Sequence, residues 1–182
     1  METPKEKERF SGIVRRLRRE DIPALREISE YWLRDFGRIA YNEVEGDMAT
    51  LRQSLDGKSG KHMYVAQTQE GRVVGMMGLA EKPKDPLLQF TQTNNSSELI
   101  VAYVHPDYMG GQGVGTALIN AVQNLAKDLD KKEILLESGP RHTHSGHPFY
   151  DKQPGFKRVG IIKDFYGKGA DTVVWRKTLL QY

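Results

Sequence analysis

The sequence predicts an α/β domain of the α+β type, one mixed sheet with helices on its faces, and three observations carry that prediction. Strand-like and helix-like segments follow in the order β, α, α, β, β, β, α, β, α, β, β, which does not alternate as a doubly wound fold would. Glu70-Gly71 separates two β-rich runs, a strong hairpin signal. A buried-looking strand, a Gly-rich turn, an amphipathic helix and a short strand then form a βαβ unit, whose right-handed crossover makes its two strands parallel. The chain has 182 residues, 38% hydrophobic and 28% charged, which suits one compact domain. We expect a mobile charged tail over residues 1–10 and a single domain over 11–182; no repeat at periods of 20 to 50 residues breaks it.

The first strand falls around Ile13 to Leu17. Asp21 is placed to cap a helix, Pro23 suits its first turn, and Leu25, Ile28, Trp32 and Phe36 recur at helical spacing until Gly37. Trp32 reads as core. Asn42 with Glu45 resembles a capping box for a second helix with Val44, Met48, Leu51 and Leu55 on one face, closed by Asp56-Gly57. The hairpin pairs His62–Gln69 with Arg72–Ala80. The segment from Glu81 to Ser97 holds Pro83, Pro86, Asn94 and Asn95 and reads as a long connection of the kind that often binds ligands. A fourth strand spans Glu98–Val104, a helix turns Leu118, Ala121, Val122 and Leu125 inward, and a fifth strand covers Ile134–Leu136. A short helix near Tyr150 and strands near Phe156–Phe165 and Thr172–Leu179 complete the chain.

Composition excludes several chemistries. The sequence has no cysteine, so disulfides, thiolate metal sites and a cysteine nucleophile are ruled out. The longest apolar run, Leu99–Val104, is six residues, far below the roughly 20 of a membrane-spanning helix. The first ten residues lack the apolar stretch of a signal peptide, so the expected location is cytoplasmic. Lys and Arg number 27 against 24 Asp and Glu, a small excess, and the cluster Arg15, Arg16, Arg18, Arg19 is interrupted by Val14 and Leu17. It reads as a solvated strand edge, with no nucleic-acid partner and no membrane implied. His142, His144 and His147 lack a carboxylate at metal-ligand spacing, so no metal is expected and the segment reads as a polar loop; His105 reads as structural.

The most informative stretch is Val104-His105-Pro106-Asp107-Tyr108-Met109-Gly110-Gly111-Gln112-Gly113-Val114-Gly115-Thr116, with four glycines in six positions. Glycine permits positive φ and leaves room for successive amides to converge on an anion at the positive end of the following helix, so a phosphate or pyrophosphate is the expected ligand. A phosphate-loop NTPase would need a Gly-Lys-Ser/Thr ending, and no lysine is present. A dinucleotide fingerprint would need glycine at 116, which is threonine.

The chain here resembles the GNAT superfamily of acetyl-CoA-dependent N-acetyltransferases. Their Gln/Arg-x-x-Gly-x-Gly/Ala turn is similar to Gly110-Gly111-Gln112-Gly113-Val114-Gly115, with Gly110 departing at the first position. The family's later Tyr-x-x-x-Gly-Phe resembles Tyr150-Asp151-Lys152-Gln153-Pro154-Gly155-Phe156, one residue longer through Pro154, and Asp164-Phe165-Tyr166 before the closing strand is family-like. The resemblance runs from about Ser11 to Leu179. It implies a mostly antiparallel central sheet with helices on both faces and a splayed parallel pair formed by the fourth and fifth strands.

It also implies acetyl-CoA as cosubstrate, with its pyrophosphate on Gly110, Gly111, Gln112, Gly113, Val114, Gly115 and Thr116. Main-chain contacts from Ala102, Tyr103 and Val104 would hold the pantetheine arm, and one of these amides would face the developing oxyanion. A primary ammonium with a pKa near 10.4 cannot attack a thioester until it is deprotonated, so a base is needed. Two carboxylates resemble bases of different members: Glu98, which starts the fourth strand, and Glu137, which ends the fifth. Tyr150 resembles the tyrosine that protonates the departing thiolate. The implied reaction is direct transfer of acetyl to a primary amine of a small molecule, amino acid or peptide. The alternative is a non-catalytic acyl-CoA-binding or regulatory module of the same fold. The acceptor-side segments would be 36–42, 81–97 and 139–148, and exposed strand edges could support a homodimer.

Overall fold

The structure, a computed structural model, describes residues 9–179, so the tail expected over residues 1–10 lies outside the described residues up to residue 8. The residue that ends that tail, Phe10, donates its N–H to the Gln112 carbonyl at 2.7 Å. The chain forms two compact units, one built from the residues up to Gly78 with Val101–Val122, the other from Leu79–Ile100 with the residues from Gln123 onward.

In the first unit β1 (Ile13–Arg16) pairs antiparallel with β4 (Lys61–Gln67), Ile13 opposite Gln67 and Arg16 opposite Tyr64. The basic cluster is not simply a solvated edge. Arg15 makes a two-pronged pair with Asp21, 2.8 Å on each prong, and the Arg18 N–H donates to the same carboxylate at 2.7 Å. Burial opposes the Asp21 charge, but Arg15 and the Arg18 amide outweigh it and hold its carboxyl below the ordinary range. Asp21 therefore anchors β1 to the approach of the first helix, and its side chain makes no cap. That helix, α1 (Ile22–Trp32), buries Leu25, Ile28 and Ser29. It stops five residues before the expected Gly37, because the chain turns into a small hairpin of β2 (Arg34–Asp35) and β3 (Arg38–Ile39). Phe36 and Gly37 sit at its tip with φ of 49° and 81°, the paired left-handed geometry of a tight hairpin. Phe36 is fully exposed rather than on a helix face.

The second helix, α2 (Tyr41–Leu55), buries Val44, Met48 and Leu51 as the periodicity predicts. Its capping residue is Ala40, whose carbonyl accepts from Glu43 and Val44, so Asn42 lies inside the first turn and no side-chain cap forms. Between the helices the Ser29 hydroxyl donates to Asp47. β4 leads into β5 (Val73–Ala80) through a turn closed by Thr68 N–H to Arg72 O and Gly71 N–H to Thr68 O, wider than the expected two-residue connection. Gly75 on β5 has a packing reason: a Cβ there would meet the Tyr103 carbonyl at 3.1 Å, Leu118 at 3.1 Å and Val114 at 3.2 Å. Its absence lets the first turns of the third helix lie close on the strand.

β6 (Ser96–Val104) and α3 (Val114–Asp128) run through both units. In the second unit the expected long connection contains a 3₁₀ segment, Asp85–Phe90, which drops Leu87 into a core with Leu135 and Val174, flanked by Phe90, Val159 and Ile162. β7 (Glu133–Ser138) pairs parallel with β6 and antiparallel with the closing strand, β9 (Thr172–Thr178). A short α4 (Gly146–Asp151) precedes β8 (Lys157–Ile162), which pairs with β9 through a register shift at Arg158/Gly160. The seven strands of the main sheet follow the order β1-β4-β5-β6-β7-β9-β8. With β2 and β3 counted, the expected fourth and fifth strands become β6 and β7, and they are the parallel pair.

Asp47 gives a stability test. Burial, reinforced by the Glu43 charge and opposed by the Ser29 hydroxyl, pushes its carboxyl up to about 6 from 3.8. The folded protein thus holds a proton that the unfolded chain has lost, and stability falls as pH rises from about 4 to about 6, by about 3 kcal/mol. Asp47→Asn cannot titrate and should escape that fall. Thermal melts should show the variant gaining several degrees over the parent between pH 4 and pH 7, whereas a pH-independent gap would mean that Asp47 does not titrate in this range.

Candidate active site

β6 is bent at Val101, whose φ of 46° is left-handed, a costly conformation for a β-branched residue. Upstream of the bend the parallel ladder with β7 has three pairs, Ser96 with Glu133, Ser97 with Ile134 and Glu98 with Leu135, although β6 has nine residues and β7 six. The parallel pair is therefore joined only at its beginning.

Downstream of the bend, in the first unit, lie Ala102, Tyr103 and Val104, each half-buried. The His105 N–H donates to the Val74 carbonyl at 2.8 Å, tying the strand end to β5. The Trp32 indole N–H donates to the Val104 carbonyl at 2.8 Å, and its ring stacks with Tyr103. Trp32 is thus half-buried and bonded to the strand rather than simply core. The Val104 carbonyl is already engaged by Trp32.

The turn after β6 begins as a 3₁₀ segment, Pro106–Tyr108, and then reaches Gly110, Gly111 and Gly113, with φ of 78°, 92° and 94°. A Cβ at Gly111 or Gly113 would meet nothing within 4 Å, so the left-handed backbone, and not crowding, is what demands glycine there. The Gln112 amide donates to the Asp107 and Met109 carbonyls at 2.8 and 3.2 Å, so its side chain braces the turn from within. Ala117 donates to the Gly113 carbonyl at 2.9 Å as α3 begins. The Val114 side chain is buried, so only its amide can face a ligand, whereas Thr116 is exposed. Amides at the start of a 15-residue helix, preceded by left-handed glycines, can bind a phosphate.

The second unit holds the candidate acid–base groups. Glu98 is the third residue of β6, not its first, and is only 4% exposed. Both of its oxygens are engaged by one residue that the sequence reading placed merely in a connection, Lys84. The Lys84 N–H donates to Oε2 at 2.8 Å and its ammonium lies 3.2 Å from Oε1. Burial pushes the Glu98 carboxyl up, with Lys84 opposing the rise. Glu137, next to last in β7, has a side chain 9% exposed. Its Oε1 accepts from the Lys84 ammonium at 2.7 Å and from the Tyr166 hydroxyl. Its Oε2 is buried and accepts from no described residue. The Lys84 ammonium also lies 5.1 Å from the centre of the Phe165 ring. Burial works against its charge, but the two carboxylates outweigh it and raise its pKa.

Tyr150 on α4 is 7% exposed and lies 5.5 Å from Trp175 and 5.3 Å from Phe149, centre to centre. Burial first, and then the Glu137 charge, push its phenol well up, so it stays protonated. Such a phenol is a weak acid toward a thiolate of pKa near 8.5 but a good hydrogen-bond donor to it. His147 is buried, its Nε2 3.1 and 3.2 Å from the Ser138 and Gly139 carbonyls and its ring edge-on to Trp175. It braces α4 rather than lining an open loop. Among the described residues no group of three or more His, Asp or Glu is arranged to hold a metal. Lys84 and Tyr166 are the site residues that sequence reasoning missed. The Asp164-Phe165-Tyr166 motif pointed to the second, and nothing in the 81–97 composition singled out the first.

β6, with a left-handed residue in mid-strand and a parallel partner joined only at its beginning, leads through a glycine turn into α3, an arrangement of the α/β class. The sequence model of the acetyltransferase (GNAT) family matches residues 25–156, and the chain belongs to that family, whose acetyl donor is acetyl-CoA. No curated protein matches the sequence. Among solved structures, an acetyltransferase of the GNAT family from Staphylococcus aureus Mu50 superposes with a TM-score of 0.70 at 20% identity, over 93% of this chain and 100% of its own. The ribosomal-protein-alanine N-acetyltransferase of Brucella melitensis gives 0.68 at 23% identity, over 92% and 99%. A Salmonella typhimurium protein solved with its cofactor acetyl-CoA gives 0.68 at 16% identity, over 94% and 96%. At these identities the likeness is one of fold.

Gly113→Ala tests the turn. A Cβ at φ 94° strains the backbone by roughly 1–2 kcal/mol, without a clash. We expect acetyl-CoA affinity, measured by calorimetry, to fall about tenfold or more as amides lose their aim at the phosphates, with only a few degrees lost in melting temperature. Unchanged affinity would remove the turn from the binding site.

Proposed function

We propose that this protein is an N-acetyltransferase that moves acetyl from acetyl-CoA to a primary amine by direct attack in a ternary complex, with Glu137 as the base. The observation that carries this reading is the buried, unpartnered Oε2 of Glu137. A buried acceptor without a donor is unfavourable by roughly 1–3 kcal/mol, and an incoming ammonium would supply the missing N–H. Glu98 cannot serve equally, because both of its oxygens are occupied by Lys84.

In the proposed reaction Glu137 takes a proton from the ammonium, and the amine lone pair attacks the thioester carbonyl. A main-chain amide holds the oxyanion; as the tetrahedral intermediate collapses the C=O re-forms, the C–S bond breaks and the nitrogen loses its second proton to solvent. The Tyr150 hydroxyl donates a hydrogen bond to the sulfur, and the coenzyme leaves as a thiolate that is protonated from solvent. With no cysteine in the chain, a cysteinyl acyl-enzyme plays no part.

Thiol release from acetyl-CoA across a panel of small amines, amino acids and peptides tests this. Glu137→Gln should lower amine-dependent release by about 10²–10⁴-fold while leaving acetyl-CoA affinity within twofold of the parent. Tyr150→Phe, losing one hydrogen bond to a charged sulfur, should fall by about 10- to 100-fold. Acetyl-CoA binding with no release on any amine would favour the non-catalytic module, and full activity in Glu137→Gln would remove Glu137 from the chemistry.

A further inference from the structure

Building on the reading of Glu137 as base, we infer that Lys84 is a positioning residue for the transfer, the cation that keeps the Glu98–Glu137 pair from sharing a proton and so leaves Glu137 ionised toward the acceptor. Three elements converge on this ammonium. Glu98 comes from β6, Glu137 from β7 and Phe165 from the segment between β8 and β9; Tyr166 of that segment donates to Glu137. The Tyr150 phenol on α4 also feels the Glu137 charge.

The charge arithmetic decides the role. Both carboxylates lie within reach of one ammonium, so their oxygens are no farther apart than two hydrogen bonds laid end to end, and both are at least nine-tenths buried. Two desolvated carboxylates that close repel one another, and each opposes the other's charge. With Lys84 between them the cluster carries two negative charges and one positive, and both can stay ionised. The remaining negative charge matches one ammonium, the charge of a primary amine acceptor.

Lys84 also selects which carboxylate is free. It uses its backbone N–H and its ammonium on the two oxygens of Glu98, but only the ammonium on Glu137, and only on Oε1. Tyr166 loads the same Oε1. Every donor therefore falls on one side of the Glu137 carboxylate, and the buried Oε2 is the oxygen still open to a donor. Charge and orientation come from the same residue.

Two readouts test this. The first is a pH titration of the glutamate side-chain carboxyls by ¹³C NMR on the parent protein, Lys84→Gln and Lys84→Arg, with Glu98→Gln and Glu137→Gln used for assignment; no acceptor or acetyl-CoA is needed. Removal of a cation at hydrogen-bond distance should raise the protonation midpoint of the pair by about 1–3 pH units in Lys84→Gln, and Lys84→Arg should restore it. The second is the acid limb of kcat/KM for whichever amine in the panel turns over. In Lys84→Gln that limb should move up in parallel, so that activity falls at least tenfold near pH 6.5 and recovers above pH 8.5, while Lys84→Arg follows the parent.

A residue that served packing alone would lower the rate equally at all pH values and leave both midpoints in place, and that result would overturn the inference. Failure of Lys84→Arg to restore the midpoint would overturn it too. If Lys84→Gln does not fold, Lys84→Met is titrated in its place, because the main-chain bond to Glu98 persists in any variant. If the parent transfers acetyl to no amine, the proposed activity fails while the NMR titration still decides the role of Lys84; if the parent is active and the midpoints do not move, Lys84 alone is misassigned.

Discussion

The strand β6 carries a left-handed residue, Val101, in its middle, and the residues before and after it are held by different partners. Its first residues must lie parallel to β7, which fixes Glu98 beside Leu135. Its last residues must end at β5, where the His105 amide meets Val74, so that the chain enters the glycine turn. A regular strand would keep both edges paired along its length. A left-handed residue in mid-strand breaks the repeat, and a bulky β-branched side chain makes that break unfavourable by roughly 1–3 kcal/mol. Val101 holds this geometry inside a strand whose ends are both fixed by hydrogen bonds. The main chain just past the bend, Ala102 to Val104, is the stretch for which family resemblance implies cofactor contacts.

The same economy governs the buried charges. Burying a carboxylate is unfavourable unless a cation or several donors accompany it, and the second unit buries three on or beside the parallel pair. Glu133, near its start, is satisfied by Ser96, by the Gln92 amide and, more loosely, by Arg176 at 3.7 Å. Glu98 is satisfied by Lys84 alone. Glu137 is satisfied on one oxygen only. Along β7, Glu133 and Glu137 lie on the same face four residues apart, with Leu135 between them seated against Leu87. The apolar plug separates a fully satisfied carboxylate, which reads as structural, from one with reactive capacity to spare.

Much of this was legible in the sequence because it rests on local rules. Helical spacing located α1, α2 and α3; alternation and turn residues located β4 and β5; the βαβ crossover gave the parallel pair; the glycines gave a left-handed turn. What was not legible depends on distant partners. Asp21 has the composition of a helix cap but is claimed by Arg15, six residues back. Phe36 continues a helical period that the hairpin interrupts, since the left-handed pair at Phe36 and Gly37 overrides periodicity. Glu98 looked like a strand end because the apolar run begins after it, whereas two serines ahead of it extend the ladder and are themselves bonded to Glu133. Lys84 was invisible for the plainest reason: a lysine in a proline-containing connection is ordinary, and only the fold reveals that its 3₁₀ neighbour Leu87 is buried and so draws the segment onto the carboxylates.

The contrast between a catalyst and a silent binding module turns on what the fold would keep if chemistry were absent. A module that only bound acetyl-CoA would need the glycine turn and the end of β6, both of which are internally well braced by Gln112, Trp32 and the Val74 bond. It would have no use for an unpartnered carboxylate oxygen in a desolvated site. Replacing Glu137 by an apolar residue would release Lys84 to Glu98 alone and leave a simple, stable ion pair. The arrangement present is less stable than that alternative by the desolvation of one extra charge, and it concentrates its donors on a single oxygen while the other is buried without one. An unpartnered acceptor of this kind is compatible with proton abstraction, which needs a base with a lone pair within hydrogen-bond reach of the proton it takes.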